Sequence, residues 1–419
     1  MMLLIYNNLE PLMSAPLSHI RVLELSRILA GPWAGQMLAD LGAEIIKVEK
    51  PIQGDDTRHW GPPYLASQQD GSPAESAYFL SANRGKRSIT VDIRHKEGQA
   101  IIHQLIENCD VLIENFKVGG LQKYQLDYPS LSAINPKLIY CSITGFGQDG
   151  PYAQRAGYDF LLQGMGGLMS VTGEPDHLPG GGPQKVGVAL TDILTGMYAT
   201  TAIQAAIIER EKSALGQHID LALLDVQVAC LANQGMNYLV SGDTPKRLGN
   251  AHPNIVPYQT FQTADGHIIL TIGNDSQFAD FCEVAECQAL TQDPLFATNQ
   301  ARVRNREIVI ERLAKIIQAK TSDFWLQQLE IKGVPCGPIN DIDEVFDNPQ
   351  IKHRKMLAEL SHPINGKVPT VANPINFSRT PIVYNMAPPN LGEHTENVLT
   401  ELLGYDSSAI DKLRHSKII

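Results

Sequence analysis

Cysteine is scarce in this 419-residue sequence, which contains only six cysteines. No two of them have CxxC spacing, so the sequence shows neither a zinc-finger pattern nor the framework of a disulfide-rich secreted protein. An HExxH motif and clustered histidines are also absent, and we therefore expect no bound metal. Scattered cysteines are typical of a reducing compartment, which predicts a cytoplasmic location. The cysteines are Cys109, Cys141, Cys230, Cys282, Cys287 and Cys336.

An excess of positive charge is also lacking. The sequence has 34 lysines and arginines against 45 aspartates and glutamates, for a net charge of -11. Because nucleic-acid binding requires a basic surface, this balance argues against a general nucleic-acid-binding protein. No uncharged run approaches the roughly 18 residues that a membrane helix needs. Residues 1–13 contain a short apolar run without a preceding basic region, so they do not resemble a signal peptide.

Three common enzyme motifs are missing from the sequence. The GxSxG pattern of many serine hydrolases does not occur, and residues 179–183 (PGGGP) lack the lysine and Ser/Thr that end a phosphate-binding loop. The first strand-turn-helix unit reads SRILAGPWAG, which does not match GxGxxG. Glu49 ends the second strand, where dinucleotide-binding domains carry an acid, but without the glycines an NAD or FAD site is disfavoured.

Strand and helix patterns alternate along the first half of the sequence. Residues 20–51 predict a strand, a helix that begins near a Gly-Pro pair, and a second strand. Further strand patterns follow at 87–93, 110–116 and 135–147. Strands that alternate with helices build a parallel sheet covered on both faces. We therefore predict an α/β fold with a large, doubly wound, Rossmann-like parallel-sheet domain.

The composition changes near residue 245. The following segment is rich in turn residues, has a hairpin pattern around Ala264-Asp265-Gly266, and continues with amphipathic helices to about residue 331, which predicts a smaller α+β domain. The proline-rich last segment and its final helix predict a return to the first domain. The predicted boundaries are 17–215 for the N-terminal part of the large domain, 216–245 for a linker, 246–345 for the small domain, and 346–419 for a return linker and the C-terminal part of the large domain.

A lone carboxylate, Asp192, lies in the otherwise uncharged stretch GVALTDILTGMY, residues 187–198. It precedes a predicted helix over 195–210, where an aspartate commonly acts as the N-cap. Helix N-H groups and the helix dipole lower the pKa of such a carboxylate, and on this interpretation its replacement by alanine costs about 1 kcal/mol of stability. The same geometry suits a nucleophile, because a desolvated, ionised aspartate attacks carbonyl carbons. Both interpretations stay open at this point.

Basic residues follow several of the predicted strands. In a parallel α/β sheet, the loops at the carboxyl ends of the strands form the ligand-binding crevice. Cations gathered there bind an anion through charge-assisted hydrogen bonds, although each of them alone is more often only a solvated charge. The residues are Arg27, Lys50, Arg94, Lys117 and Lys123. The pattern therefore predicts an anionic ligand close to Asp192.

Longer motifs occur in order along the chain: RVLELSRILAGPWAGQMLADLGAEIIKVEKP, GDDTR, NRGKRSI, DVLIENF, GYDFLLQGMGGLMSVTG, ALTDILTGMYA, GQHIDLALLD, GNAHPNIVPYQTF, GVPCGPIND and LGEHT. Together they resemble the class III CoA-transferases, also called the CaiB/BaiF family, over nearly the whole chain from about residue 20. The family's nucleophile is an aspartate in the stretch that matches ALTDILTGM, and it corresponds to Asp192. The resemblance implies that the cap and the nucleophile are the same side chain.

The resemblance also implies a mechanism. The aspartate forms a mixed anhydride with the acyl group of an acyl-CoA and then a thioester with CoA, before an acceptor acid takes the CoA. This exchange requires no ATP, metal or tightly bound cofactor, because coenzyme A and acyl-CoA are the substrates. Water would hydrolyse the intermediates, so the pocket has to close, and the glycine-containing loops 179–183 and 249–254 are candidates for this role.

Further site residues follow from the same resemblance. A Tyr-acid pair beside the nucleophile corresponds to Tyr158 and Asp159, for which we expect an orienting role. Formyl-CoA transferases have a glutamine where this sequence has Leu29, which argues against formyl or oxalyl substrates. The expected substrate-pocket residues are Leu29, Tyr158, Asp159, Gly249, Asn250 and His252, and the expected CoA contacts are Arg27, Ala30, Lys50, Val91, Arg94, Asn115, Phe116 and Lys123.

The motifs GNAHPNIVPYQTF and GPINDIDEVFDNPQ are most similar to the branch that uses succinyl-CoA with dicarboxylic acids such as glutarate. An α-methylacyl-CoA racemase is the alternative, but racemases have GHD where this sequence has GYD at residues 157–159, so their histidine base is missing. An acyl-CoA-binding protein without activity is disfavoured by the intact Asp192. The family resemblance finally implies a homodimer of two interlocked, ring-like subunits.

Overall fold

A computed structural model describes residues 15–65, 75–362 and 366–419 of the chain. The stretch on which the signal-peptide prediction rests, residues 1–13, lies outside the described residues. The strands are β1 (Arg21–Glu24), β2 (Glu44–Glu49), β3 (Lys86–Thr90), β4 (Val111–Glu114), β5 (Ile139–Thr144), β6 (His218–Ala222), β7 (Tyr258–Gln262), β8 (His267–Thr271), β9 (Cys336–Gly337), β10 (Leu357–His362) and β11 (Gly366–Val371).

Helices of varied length connect these strands. None of the helices in the described part of the chain has the length and apolar character needed to cross a membrane. The helices are α1 (Ala30–Asp40), α2 (Ala77–Leu80), α3 (Lys96–Ile106), α4 (Tyr128–Ile134), α5 (Asp159–Met165), α6 (Leu168–Val171), α7 (Leu190–Ser213), α8 (Leu223–Ala229), α9 (Ala232–Ser241), α10 (Asp275–Val284), α11 (Asn299–Arg304), α12 (Arg306–Ile317), α13 (Ser322–Ile331), α14 (Ile342–Asp347), α15 (Pro349–His353), α16 (Thr395–Leu403) and α17 (Ser407–His415).

The largest sheet has six parallel strands in the order β3-β2-β1-β4-β5-β6. The chain runs outward from β1 to β3 in one direction and then from β4 to β6 in the other. This is the strand order of a doubly wound Rossmann-like sheet, and it confirms the predicted fold class. The reversal of direction leaves a crevice between β1 and β4 at their carboxyl ends.

Helices cover both faces of this sheet, so its central strands are almost completely buried and their sequences are nearly continuously apolar. On one face, α3 and the C-terminal helices α16 and α17 share a core that includes Ile101, Leu105 and Leu399. On the other face, α1 and α7 pack through side chains such as Leu38 and Ile203. The C-terminal helices therefore contribute to the core of the six-stranded sheet.

The described residues form two compact units. The first contains the six-stranded sheet and comprises the described residues up to Gly166, Val188–Cys230 and Gln350–Ile419. The second comprises Gly167–Gly187 and Leu231–Pro349. Residues 218–240 have the sequence pattern of a strand that leads into a helix, within the segment 216–245 assigned to a linker. In the structure, the strand β6 pairs with β5 and forms one edge of the large sheet.

The second unit contains an antiparallel sheet of three strands, in the order β7-β8-β9. The hairpin predicted around Asp265 is confirmed, since β7 and β8 are paired antiparallel on either side of it. Helices α10 to α13 pack against the sheet around the buried Trp325, whose ring stacks on Phe281 with 5.9 Å between the centroids. This unit therefore has a hydrophobic core of its own.

Candidate active site

The crevice between β1 and β4 opens into a cavity of about 410 Å³, which we call the Asp192 cavity. Its walls come from the loops after β1, β4 and β5 and from the beginning of α7. These distant segments meet because parallel strands end at the same edge of the sheet. The cavity brings together these predicted site residues: Arg27, Leu29, Ala30, Asn115, Phe116, Lys123, Tyr158 and Asp192.

The turn after β1 shapes one wall of this cavity. The Arg27 N-H donates to Asn115 Oδ1 at 3.1 Å, and Asn115 Nδ2 donates to Arg27 O at 2.7 Å. Ile28 has a left-handed φ of 75°, which is costly for a β-branched residue. Its N-H donates to both carboxylate oxygens of Asp55 at 3.2 Å. These hydrogen bonds hold the strained turn and fix the backbone on either side of it.

A buried lysine supports Asp55. Lys47 Nζ lies 3.0 Å from the Asp55 carboxylate and donates to Glu24 Oε1 at 3.0 Å. Burial alone would raise the pKa of Asp55, but the charge of Lys47 and the hydrogen bonds from Thr57 outweigh it and lower the pKa. The sequence did not predict this support. The GDDTR motif shows acidic turn residues, but not that one of them is buried against a lysine of β2.

Asp192 is the third residue of α7 and does not cap it. The helix begins at Leu190 rather than at residue 195, and the residue before it, Ala189, has no capping side chain. Instead, Asp159 Oδ1 accepts the N-H groups of Thr191 and Asp192 at 2.8 and 3.2 Å. The prediction that Asp192 is the N-cap is therefore wrong, because the carboxylate of Asp159 takes the free N-H groups at this helix end.

The surroundings of Asp192 raise its pKa. Its side chain is only 8% exposed, and burial, followed by the negative charge of Asp159, raises the pKa to about 7. The predicted lowering is wrong, because the first N-H groups of α7 stabilise Asp159 and not Asp192. Burial and then the charges of Asp192 and Asp159 also raise the pKa of Tyr78 to about 12. This phenol, which the sequence did not point to, therefore stays protonated at neutral pH.

A second cavity of about 650 Å³ lies beside the Asp192 cavity, and Arg27 and Phe116 line both. It contains three further predicted CoA contacts, Lys50, Val91 and Arg94. The predicted CoA contacts therefore divide between two adjoining cavities at the same edge of the sheet.

Two of the cations are paired with carboxylates. Arg27 Nη1 lies 2.6 Å from Asp56, and Arg94 Nη2 lies 2.5 Å from Asp92. Both arginine side chains are more than half exposed, at 58% and 62%. The Arg27–Asp56 pair is exposed on both sides and contributes little free energy in water, so another anion can displace Asp56. Asp92 is only 8% exposed, so Arg94 is the exposed partner of a buried carboxylate.

The remaining predicted substrate-pocket residues, Gly249, Asn250 and His252, belong to the second compact unit. The Gly249 N-H donates to Gly173 O at 3.1 Å, and Asn250 Nδ2 donates to Thr260 Oγ1 at 3.2 Å. Burial lowers the pKa of His252. These three residues line neither of the two cavities.

The structure shows no arrangement for a metal or a dinucleotide in its described part. Across residues 15–65, 75–362 and 366–419, no group of three or more His, Cys, Asp or Glu side chains is placed to hold a metal ion. Glu49 is buried, and its oxygens accept hydrogen bonds from Arg58 Nε at 2.8 Å and Ser88 Oγ at 2.6 Å. Further bonds from the Asp55 N-H and from Arg58 Nη2 occupy the same carboxylate, which leaves neither oxygen free for a ribose.

Known proteins provide an independent comparison. A profile of CoA-transferase family III matches residues 17–395. The chain is 54% identical to a succinate–glutarate CoA-transferase of Agrobacterium fabrum, over 92% of this chain and 96% of the relative. It is 43% identical to a succinyl-CoA:glutarate CoA-transferase of Homo sapiens, over 96% of this chain and 90% of the relative.

A solved structure gives the same result. The crystal structure of a CaiB/BaiF family protein from Brucella suis is 51% identical in sequence and superposes with a TM-score of 0.81. The match covers 93% of this chain and 100% of that chain. The chain therefore belongs to CoA-transferase family III and is a CoA-transferase of that family.

Proposed function

We propose that this CoA-transferase moves CoA from succinyl-CoA to a dicarboxylic acid such as glutarate, with Asp192 as the nucleophile. The names of the two relatives support the substrate pair. The observation that carries the proposal is the placement of Asp192. Its buried carboxylate lines the cavity at the crevice between β1 and β4, and it has no ion pair with any cation of the described residues.

The first half of the reaction transfers CoA to the enzyme. A carboxylate oxygen of Asp192 attacks the thioester carbon of succinyl-CoA, the C-S bond breaks, and CoA leaves as a thiolate. The product is a mixed anhydride of Asp192 and succinate. The thiolate then attacks the aspartyl carbon of this anhydride, succinate leaves, and CoA remains as an aspartyl thioester.

The second half transfers CoA to the acceptor. A carboxylate oxygen of the acceptor attacks the aspartyl thioester, expels the CoA thiolate and forms a second anhydride. The thiolate attacks the acyl carbon of the acceptor, which releases the new acyl-CoA and restores the Asp192 carboxylate. Since no proton is consumed or released over the cycle, the reaction needs no separate general acid or base.

Burial of Asp192 suits both halves of this reaction. A carboxylate without its water shell is a stronger nucleophile, and an enclosed anhydride is protected from hydrolysis. The raised pKa is the cost, because only the ionised form attacks. The proposed role of Asp159 is to hold the start of α7 through its two backbone hydrogen bonds, which positions Asp192 in the cavity.

We further propose that CoA occupies both cavities. A phosphate group would replace Asp56 at Arg27, another would bind the exposed guanidinium of Arg94, and the apolar lining would contact the pantetheine and adenine groups. Leu29 and Ala30 are buried and contribute apolar lining to the Asp192 cavity. The proposed CoA contacts are Arg27, Ala30, Lys50, Val91, Arg94, Asn115, Phe116 and Lys123, and Gly249, Asn250 and His252 stay proposals for the substrate pocket.

The Asp192→Ala variant tests the nucleophile. We expect transfer of CoA from succinyl-CoA to glutarate to fall by more than roughly 1,000-fold, because no other group replaces a covalent nucleophile. Asp225→Ala is the matched control, since Asp225 is also the third residue of its helix, α8, but is exposed and lines neither cavity. Its activity should equal that of the wild type.

Mass spectrometry tests the covalent intermediate. Wild-type protein incubated with succinyl-CoA should carry CoA on the peptide that contains Asp192, and hydroxylamine should convert this thioester into a hydroxamate. The Asp192→Ala protein should carry no adduct. Full activity of Asp192→Ala, or an adduct on another residue, would show that Asp192 is not the nucleophile.

A further inference from the structure

One guanidinium group of the Asp192 cavity has no ion pair with any carboxylate in the described part of the chain. Arg155 lines this cavity in the same loop as Tyr158. Its guanidinium carbon lies 4.6 Å from the ring centroid of Tyr152 and 5.4 Å from that of Phe146. The side chain is exposed and contacts aromatic rings, with no acidic partner among the described residues.

The two rings form a defined support for this charge. Phe146 and Tyr152 pack edge to face, with 5.6 Å between their centroids and 71° between their planes. The backbone N-H of Arg155 also donates to the backbone carbonyl of Tyr152 at 2.8 Å, which closes the turn that carries both residues. A guanidinium that lies over an aromatic face keeps the N-H donors at its edge available. The guanidinium of Arg155 is therefore oriented, and its N-H donors have no carboxylate partner among the residues that the structure describes.

The other arginines that line the two cavities differ in this respect. Arg27 is paired with Asp56 and Arg94 with Asp92, so each exchanges one anion for another when it binds a ligand. Arg155 has no such pair to break with any carboxylate that the structure describes. A ligand carboxylate would therefore gain more free energy at Arg155 than at either paired arginine.

The position of Arg155 separates it from the cations of the second cavity. Arg155 lines the Asp192 cavity only, whereas Lys50 and Arg94 line only the second cavity. It also belongs to the loop that ends at Asp159, whose carboxylate binds the backbone of Asp192. The charge of Arg155 therefore lines the same cavity as the proposed nucleophile.

We propose that Arg155 binds the distal carboxylate of dicarboxylic substrates and selects them over monocarboxylic acids of the same length. This inference rests on the proposed function, in which Asp192 exchanges CoA between two dicarboxylates. When one carboxylate of glutarate reacts at Asp192, the other enters a cavity that is lined in part by apolar side chains, and it needs a cation there. The planar guanidinium matches a carboxylate through two parallel hydrogen bonds.

A phosphate of CoA is the other anion with which a guanidinium pairs in this way, so the test has to separate the two ligands. We compare glutarate with valerate as acceptors, because both have five carbons and only glutarate has a second carboxylate. In the two-step scheme, kcat/KM for the acceptor depends only on the second half-reaction. The ratio of the two acceptor values therefore reports recognition of the distal carboxylate, independently of the donor.

In Arg155→Leu, we expect the ratio of kcat/KM for glutarate to that for valerate to fall roughly 10- to 100-fold, the usual loss for a charge-assisted pair. Arg155→Lys keeps the charge but loses the planar pair of donors, so a smaller fall is expected. When butyryl-CoA is the donor, kcat/KM of Arg155→Leu for butyryl-CoA should stay within about twofold of the wild-type value, because the variant keeps the CoA contacts. Arg354→Leu is the matched control, because Arg354 is exposed and lines neither cavity.

An unchanged ratio in both Arg155 variants would overturn the inference. An equal loss for both acids, together with weaker use of butyryl-CoA, would show that Arg155 binds CoA instead, and would also overturn it. If the wild type transfers CoA to no carboxylic acid at all, the proposed function itself is wrong, and that outcome is seen before any Arg155 variant is made. If Arg155→Leu does not fold, the Arg155→Lys ratio decides alone.

Discussion

Asp192 combines a functional position with a cost in stability. In the folded protein its pKa is raised to about 7, whereas an exposed aspartate loses its proton near the model value of 3.8. Between these two pH values the folded state binds the extra proton, so the free energy of unfolding decreases as the pH rises from about 4 to about 7. Above pH 7 the folded protein contains a buried, ionised carboxylate beside a second one.

Ionisation of the buried Asp192 should lower the stability of the wild type at high pH. We expect Asp192→Asn to increase the free energy of unfolding at pH 8 by roughly 2–4 kcal/mol, because the amide removes the buried charge. At pH 4 the two proteins should be equally stable. Urea unfolding at both pH values measures the difference, with Asp225→Asn as the control. A loss of stability at pH 8 would instead favour the capping role that the sequence suggested.

The second prediction concerns the neighbouring carboxylate. For the wild type, kcat/KM for succinyl-CoA should rise with pH through about 7, because only ionised Asp192 attacks. Asp159→Asn removes the like charge, so the pKa of Asp192 should decrease and the acid limb of the profile should move to lower pH. The amide oxygen of asparagine can still accept the N-H groups of Thr191 and Asp192. An acid limb at the same pH in Asp159→Asn would exclude this coupling.

At the scale of elements, the contact between α1 and α7 brings Ala30 and Asp192 to one cavity. Gly196 lies one turn after Asp192 on the same face of α7. A Cβ at this position would lie 2.7 Å from Ala30 O and 3.0 Å from the Cβ of Trp33. The two helices therefore approach through a glycine, and their spacing depends on the absence of a side chain there.

The prediction at this scale is that Gly196→Ala separates the two helices. We expect the free energy of unfolding to fall by about 1–3 kcal/mol, with a drop in kcat that stability alone does not explain. Ala205→Gly, on the exposed face of the same helix, is the control. It should cost about 1 kcal/mol through helix propensity and leave kcat unchanged. Equal kcat values in the two variants would contradict the role of this helix contact.

At the scale of the whole molecule, α9 leaves an apolar surface uncovered. The helix has no buried residue in the single chain, and its Leu239 and Val240 are 73% and 81% exposed. Adjacent exposed apolar side chains commonly mark the contact with another protein. Together with the family resemblance, this surface supports a proposed homodimer in which a second copy of the chain covers α9.

The corresponding prediction is a change in oligomeric state. Light scattering of the wild type should give twice the mass of one chain, and Leu239→Lys with Val240→Lys should lower the dimer fraction, because charges replace buried apolar area. Ile52→Lys is the control, since Ile52 is 85% exposed and lies in the first unit. A monomeric wild type at micromolar concentration would contradict the dimer.

Much of the large sheet could be predicted because its signals are local. The apolar runs of β1, β4 and β5 reflect strands buried on both faces, and the alternation with helices indicates parallel pairing. The cations after these strands could also be placed at one sheet edge from topology alone. The strand of β6 was also indicated, but its pairing with β5 was not, because a short strand pattern does not show which strand it pairs with.

The sequence by itself determined the fold class, the family and the aspartate around which the site is built, since periodicity and ordered motifs are properties of the chain read along its length. Only the tertiary structure decided that Asp159 caps α7, that the pKa of Asp192 is raised and that Arg155 has no acidic partner within the described residues. The physical reason is that burial and charge coupling depend on groups brought together from distant segments, as Asp159 and Asp192 are.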